Sequence, residues 1–136
     1  MEKSNIGLIV ATHGNLAQVL VKTTEILLGH KTGLHPFSFF DGEAPPVSFE
    51  RLKTLIKKSN RGEGVIILVD LFGGTPGTLA LSMLEEEMLE VATGVNLPMT
   101  VTAATLDPRL KLKKANAAIV AAGKKSIKEA GALLRT

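Results

Sequence analysis

A histidine and an aspartate each come at the end of an apolar stretch. Residues 6–11 are apolar and lead into Thr12-His13-Gly14, and residues 65–69 are apolar and lead into Asp70. Such runs predict buried strands, and in an open parallel sheet ligands bind beyond the carboxyl ends of the strands, where the strand order reverses. If the two strands are neighbours, His13 and Asp70 meet at that edge. A histidine oriented by a carboxylate acts as a nucleophile or a base.

The pairing of His13 with Asp70 suits phosphoryl transfer. A histidine that accepts a phosphoryl group must be neutral, with one bare ring nitrogen. If Asp70 accepts the proton on Nδ1, the tautomer is set and Nε2 is free to attack. The alternative is that His13 is a capping or core histidine and Asp70 a helix cap, but their predicted place in one crevice weakens it. We therefore predict His13 as nucleophile and Asp70 as its orienting partner.

Small residues follow both candidate side chains. Gly14 comes just before a predicted helix, and Gly73, Gly74 and Thr75 lead into another that starts at Thr75-Pro76. Helix N-termini carry free N–H groups and partial positive charge, which attract anions. Glycines let the backbone come close to a bound group. Gly14, Gly73, Gly74 and Thr75 are therefore predicted to bind phosphate.

The elements alternate between strand and helix, which predicts an α/β fold with a parallel sheet. Strands are predicted at 6–11, 34–40, 65–69 and 90–93, and helices at 15–28, after the loop 41–46, and at 75–88, 98–106 and 107–122. Right-handed crossovers favour the strand order 2-1-3-4 with helices on both faces. The chain length suits a single domain, 1–136. Gly123 is predicted to end the last helix, and 124–136 is open between a short strand and more helix.

Composition excludes several function classes. The chain is 45% apolar, has no cysteine and carries a net charge of +3. This excludes a disordered chain, a disulfide framework and thiol catalysis. Although basic residues predominate after residue 109, the absence of Trp and Tyr argues against nucleic-acid binding. No apolar run reaches membrane-span length and no signal peptide is visible, so we expect a cytoplasmic protein.

Cofactor and metal signatures are missing from the sequence. The stretch Gly73-Gly74-Thr75-Pro76 is not followed by the Gly-Lys-Ser/Thr of a nucleotide-binding loop, and no Gly-x-Gly-x-x-Gly follows the first strand. His30 and His35 lack metal-ligand spacing relative to His13. We expect neither a cofactor nor a metal.

Three motifs carry a family resemblance. They are Thr12-His13-Gly14, the stretch Leu-Val-Asp-Leu-Phe-Gly-Gly-Thr-Pro at 68–76, and Gly-Val-Asn-Leu-Pro-Met at 94–99. In this order and spacing the chain resembles the IIA domain of the mannose-type sugar phosphotransferase system over nearly its whole length.

The resemblance implies a phosphorelay. The phosphocarrier protein HPr would phosphorylate His13, and the chain would pass the group to a IIB domain or protein, as a phosphotransferase component with a phosphohistidine intermediate. Asp70 corresponds to the acidic partner of the active histidine. Membranes would be involved only through transporter subunits. Because no IIB domain follows residue 136, a free-standing IIA protein is expected.

The resemblance also implies a fold and an assembly. The four parallel strands would lie in the order 2-1-3-4, and a short antiparallel fifth strand would be exchanged between the subunits of a homodimer. Residues 126–129 would form that swapped strand.

Two other functions stay open. In the first, the chain is a regulatory phosphohistidine module that controls a kinase or transcription factor. In the second, it is an anion-binding or hydrolytic α/β enzyme with His13 as base, although no second catalytic carboxylate is visible.

Overall fold

The computed structural model describes residues 3–71, 78, 83 and 88–135. In chain order the described strands and helices are β1 (Gly7–His13), α1 (Leu16–Leu28), β2 (Leu34–Phe39), α2 (Pro45–Ser59), β3 (Val65–Val69), β4 (Leu89–Ala92), α3 (Leu97–Ala104), α4 (Leu112–Ser126) and α5 (Ala130–Leu134). The helix predicted at 75–88 falls mostly outside the described residues.

The sheet has four parallel strands in the order β2-β1-β3-β4. Leu8 of β1 lies opposite Leu34 of β2 and Ile66 of β3. This confirms the predicted order, in which β1 and β3 are central and their carboxyl ends are adjacent. Pro36, which lacks an N–H for the ladder, lies on the edge strand β2, as expected for proline in a sheet.

Alternate residues of the central strands pack on opposite faces of the sheet. Val10, Ile66 and Leu68 pack with buried residues of α1, α3 and α4 on one face. Ile9, Ile67 and Val69 pack with Leu52 of α2 on the other. Because both faces are covered, these strands are apolar throughout, which is typical of a parallel sheet. The prediction of helices on both faces is confirmed.

Two helix boundaries differ from the predictions. Asp107-Pro108 does not start a helix, because α3 ends at Ala104 and α4 begins at Leu112. Gly123 does not end α4 but lies buried within it, where a Cβ would come within 2.6 Å of Met99 Cγ. This glycine therefore permits close packing of α4 on α3 and is not a helix terminator. By contrast, Gly29 ends α1 as predicted, with φ +77° and its N–H donated to the Glu25 carbonyl oxygen.

The C-terminal segment contains α5 but no strand within the single chain. Residues 127–129 lie between α4 and α5 in neither helix nor strand, and Ile127 and Glu129 have extended backbone. The exchanged fifth strand therefore stays a prediction, because it requires a second subunit. Within the part of the chain that the structure describes, no helix has both the length and the apolar character needed to cross a bilayer.

Candidate functional site

His13 is the last residue of the central strand β1. The residue before it, Thr12, is completely buried, whereas the His13 side chain is 49% exposed. On one side His13 lies opposite Phe39 of β2 in the ladder. The sheet therefore fixes the backbone of His13, and the imidazole lies at the carboxyl edge of the sheet, where the chain first reaches solvent.

Asp70 follows the last residue of β3 and reaches across to His13. Asp70 Oδ2 lies 2.9 Å from His13 Nδ1 and accepts the backbone N–H of His13 at 3.1 Å. Its other oxygen, Oδ1, accepts the N–H of Leu71 at 3.1 Å. The Asp70 side chain is only 13% exposed. The carboxylate is thus held by two backbone amides as well as by the ring, which limits its freedom to turn away.

This contact determines which ring nitrogen is available for chemistry. An ionised carboxylate only accepts hydrogen bonds, so His13 Nδ1 carries the proton that it shares with Asp70. Nε2, on the far side of the ring, is then the unprotonated nitrogen of the neutral imidazole and points away from Asp70. The structure brings the two predicted residues together as nucleophile and orienting acid would require. Their roles in a reaction stay a prediction.

Thr12 stabilises the turn between His13 and α1. Its Oγ1 accepts the N–H of Ala17, in the first turn of α1, at 2.7 Å. Asn15, the residue at the cap position, makes no side-chain capping bond. The Thr12 hydroxyl therefore satisfies a helix-terminal donor that would otherwise be buried without a partner. This capping role of Thr12 was not predicted from the sequence, where a polar residue at the end of an apolar run is the available signal.

Gly14 has a conformation that favours glycine, with φ +56°. Its N–H donates to the Phe39 carbonyl oxygen at 3.2 Å, so this amide is already engaged. Among the described residues other than its two chain neighbours, no heavy atom lies within 4 Å of where a Cβ on Gly14 would stand. The predicted role of Gly14 in binding phosphate stays a prediction. Gly73, Gly74 and Thr75 lie outside the described residues.

A cavity of about 430 Å³ opens beside His13 and Gly14. Its opposite wall is formed by the end of β2, the connection that follows it and the start of α2. The residues of this wall are Phe39, Phe40, Asp41, Gly42, Glu43, Pro45 and Ser48. Sequence analysis did not assign these residues to the site. The available signal was that β2 is parallel to β1, so the residues after both strands lie at the same edge of the sheet.

Within this wall, Glu43 is the centre of a hydrogen-bond cluster. Its carboxylate accepts the Ser48 hydroxyl at 2.6 Å and Arg51 Nε at 3.0 Å. These bonds, that of Ser48 first, outweigh the desolvation of the group and hold the pKa of Glu43 below its ordinary value. Glu43 therefore keeps its negative charge, and that charge is directed towards Ser48 and Arg51.

The other two histidines are separate from this site. His30 follows the end of α1, is exposed, and its Nδ1 lies 2.8 Å from the Lys31 carbonyl oxygen. His35 is exposed on the edge strand β2. Within residues 3–71, 78, 83 and 88–135, no three or more His, Asp or Glu side chains are grouped as a metal site would need.

The fold and the sequence both match known proteins. The family model described as "PTS system fructose IIA component" matches residues 7–120. The mannose-specific EIIAB component of Escherichia coli K12 is 36% identical over 97 residues, which are 71% of this chain and 30% of that protein. The fructose-specific EIIA component of Bacillus subtilis 168 is 32% identical over 109 residues, which are 79% of this chain and 75% of that protein.

A solved structure shows the same fold. The PTS IIA protein associated with the fucose utilization operon of Streptococcus pneumoniae superposes with a TM-score of 0.81 at 29% identity, over 98% of this chain and 99% of that one. The chain therefore belongs to the family of PTS fructose and mannose IIA components. It spans less than a third of the length of the mannose-specific relative.

Proposed function

We propose that this protein is a phosphoryl-transfer intermediate of a sugar phosphotransferase system. His13 accepts a phosphoryl group from phospho-HPr and passes it to a histidine of a IIB domain or protein. The observation that carries the proposal is the 2.9 Å contact between His13 Nδ1 and Asp70 Oδ2 at the carboxyl edge of the sheet. Membership of a family of phosphotransferase-system IIA components supports it.

The geometry suggests how each step proceeds. The lone pair of His13 Nε2 attacks phosphorus, a new N–P bond forms, and the N–P bond of the donor breaks with its electron pair returning to the donor imidazole. The His13 ring becomes positively charged while Nδ1 keeps its proton in the bond to Asp70. The Asp70 carboxylate stabilises that charge, as an electrostatic partner placed before the reaction begins. Transfer to the IIB histidine is the same exchange in the opposite sense.

Two further features belong to this proposal. The helix that is predicted to follow Gly73, Gly74 and Thr75 supplies backbone donors for the phosphoryl oxygens, and Gly14 leaves the approach open. The protein acts in the cytoplasm and is related to the membrane only through the transporter subunits that its IIB partner serves.

The direct test is to label the protein and map the modified residue. Incubation with phosphoenolpyruvate, enzyme I and HPr should add one acid-labile, base-stable phosphate, located on His13 by mass spectrometry. His13→Ala should take up none, whereas His30→Ala and His35→Ala, which change exposed histidines away from the site, should be labelled like the wild type. Undiminished labelling of the His13→Ala variant would contradict the proposal.

Onward transfer separates the relay from a regulatory module. When a purified IIB protein is added to phosphorylated wild-type protein, the label should leave His13 and appear on IIB. If His13 is labelled but every IIB protein tested leaves it in place, the regulatory alternative replaces the relay.

We also propose a homodimer built by exchange of residues 126–129. Among the described residues β4 pairs only with β3, so it forms one edge of the sheet. An apolar groove of about 470 Å³ runs beside it, with Val91, Val120 and Ile127 in its lining. Ile127 is 77% exposed in the single chain, in a segment whose backbone is already extended. Residues 126–129 of a second subunit would pair with the open edge and cover Val91 and Val120.

Sedimentation velocity tests the dimer. The wild type should sediment as a dimer, and deletion of residues 126–129 should shift it towards the monomer. A deletion variant that remains a dimer would exclude strand exchange through this segment.

A further inference from the structure

Arg51 connects the wall of the cavity beside His13 to α2. Its guanidinium donates from Nε and Nη2 to the two oxygens of Glu43, at 3.0 and 3.1 Å, and from Nη2 to the Ser38 carbonyl oxygen at 2.7 Å. The same group lies 4.4 Å from the Phe37 ring centroid and 5.1 Å from that of Phe40. All of these partners belong to β2 and the connection that follows it.

We infer that Arg51 is a positioning residue for the phosphoryl transfer proposed above, holding Phe40 and Glu43 as a preformed wall against which the donor protein docks. The inference rests on that proposed function. The inference extends that function to Arg51, a residue that does not touch His13 and acts through the wall alone.

The shape of the wall depends on these contacts. Phe40 is 59% exposed, so burial in the core does little to place its ring. Two hydrogen bonds to Glu43 and one to the Ser38 carbonyl oxygen fix the guanidinium. This planar cation then holds the Phe40 ring by a cation–π contact. Without Arg51, the segment between Phe39 and Pro45 would lose the contacts of Phe40 and Glu43 with this side chain of α2.

The charge of the wall depends on Arg51 as well. Asp41 and Glu43 both line the cavity into which a phosphoryl group must be delivered. A phosphoryl group brings negative charge, which an unpaired carboxylate would repel. Arg51 and the buried Ser48 hydroxyl turn the Glu43 carboxylate towards themselves and offset its charge. Removing Arg51 would therefore both loosen the wall and expose a negative group at the point of docking.

The first measurement reports on the wall alone. The chain has no Trp or Tyr, so Phe40→Trp introduces a single fluorophore at the wall. In this background, Arg51→Ala should make the indole more accessible to acrylamide, with a higher quenching constant. Arg61→Ala is the matched control, because Arg61 bonds to the Ser4 carbonyl oxygen away from the cavity. Equal quenching in the Arg51 and Arg61 variants would overturn the inference.

The second measurement reports on transfer, with the natural Phe40 restored. Arg51→Ala should raise the KM for phospho-HPr about five- to tenfold, the loss expected for one partly buried ion pair and one cation–π contact. The rate constant kcat should change much less, because His13 and Asp70 are untouched. Labelling by phosphoramidate, a small donor that needs no docking, should stay at the wild-type rate. Arg51→Lys, which keeps the charge but not the planar fork, should recover only part of the affinity.

In the transfer assay, three results would overturn the inference: an unchanged KM, equal losses with phospho-HPr and phosphoramidate, or full recovery in Arg51→Lys. If Arg51→Ala does not fold, Arg51→Gln, which keeps a long polar side chain but has no guanidinium, should raise KM in the same sense. Failure of the proposed function looks different. In that case phospho-HPr leaves wild-type His13 unlabelled, and the role of Arg51 in transfer is rejected as well. The quenching experiment still tests whether Arg51 holds Phe40 in place.

Discussion

Two aspartates in this molecule make short contacts with a basic side chain, and the contacts arise in different ways. Asp70 lies 2.9 Å from His13 Nδ1, and Asp107 lies 2.8 Å from Arg109 Nη2. The first pair joins residues 57 positions apart, the second residues two positions apart. The Asp70 side chain is 13% exposed and that of Asp107 is 39% exposed. Contact length alone does not distinguish them.

The difference lies in what each contact requires. The Asp107–Arg109 pair needs only a local turn, in which Asp107 Oδ1 also accepts the N–H of Arg109 at 2.9 Å. The His13–Asp70 pair forms only when β1 and β3 are parallel neighbours that end at the same level. The His13–Asp70 contact therefore places two side chains in a fixed relation, while the Asp107–Arg109 contact satisfies an exposed charge at the surface. The His13–Asp70 pair is the stronger indication of a functional site, because it lies at the carboxyl ends of parallel strands, where open α/β sheets bind ligands.

The largest expected effect comes from neutralising Asp70. Asp70→Asn should slow phosphorylation of His13 roughly ten- to a hundredfold, by analogy with the loss that follows when the hydrogen-bond partner of a metal-binding histidine is changed. The amide keeps the size of the side chain but does not supply the negative charge that stabilises the ring. The rate is measured by rapid mixing with phospho-HPr. Asp107→Asn, which removes the other paired aspartate, is the matched control and should react at the wild-type rate. Equal rates in the two variants would contradict the special role of the His13–Asp70 pair.

A smaller effect is expected from the frame beneath His13. Thr12→Val keeps the shape of the side chain but removes the acceptor of the Ala17 N–H, and should lower the free energy of unfolding by about 1–2 kcal/mol. Urea denaturation measures the change. Thr105→Val is a useful control. Thr105 follows the end of α3, and its exposed hydroxyl donates to the Val101 carbonyl oxygen, so the change should alter stability by less than about 0.5 kcal/mol. Equal stability of the Thr12 variant and the wild type would show that α1 needs no capping from β1.

The smallest effect concerns the exposed pair itself. Hydrogen bonds from the Arg109 side chain, then from its backbone, lower the pKa of Asp107 from 3.8 to about 2. A depressed carboxyl pKa adds stability above the unfolded value, and this is lost as pH falls from about 4 towards 2. Because both groups are well exposed, Asp107→Asn should leave the Tm at neutral pH almost unchanged. An NMR titration of the Asp107 carboxyl carbon should find the midpoint near 2, and a midpoint near 4 would mean that the pair does not form in solution.

The main features of the fold and site could be predicted from local patterns. Uniformly apolar runs indicated strands covered on both faces, and the parallel topology then placed His13 beside Asp70. These inferences succeed because hydrophobic periodicity and strand direction depend on few residues at a time.

Other features depend on contacts between distant segments. Glycine is typical of helix ends, but Gly123 lies inside α4 because the Met99 side chain packs against it and leaves no room for a Cβ. The wall opposite His13 depends on Arg51 folding back over Phe40 and Glu43, and no pattern in residues 40–51 encodes that return. Thr12 acts as a cap from inside a strand, five residues before the amide it bonds. Residues 73–75, predicted to bind phosphate, lie outside the described residues, and that prediction stands untested.

The site at the end of β1 also depends on Gly7, which lies at the opposite end of the same strand. A Cβ there would lie 2.3 Å from the carbonyl oxygen of Ser59, the last residue of α2. The beginning of the strand that ends in His13 is thus seated directly against the end of the helix that carries Arg51. Even an alanine at this position would have to push strand and helix apart, and the disturbance would reach both sides of the cavity, some six residues of strand away from the substitution.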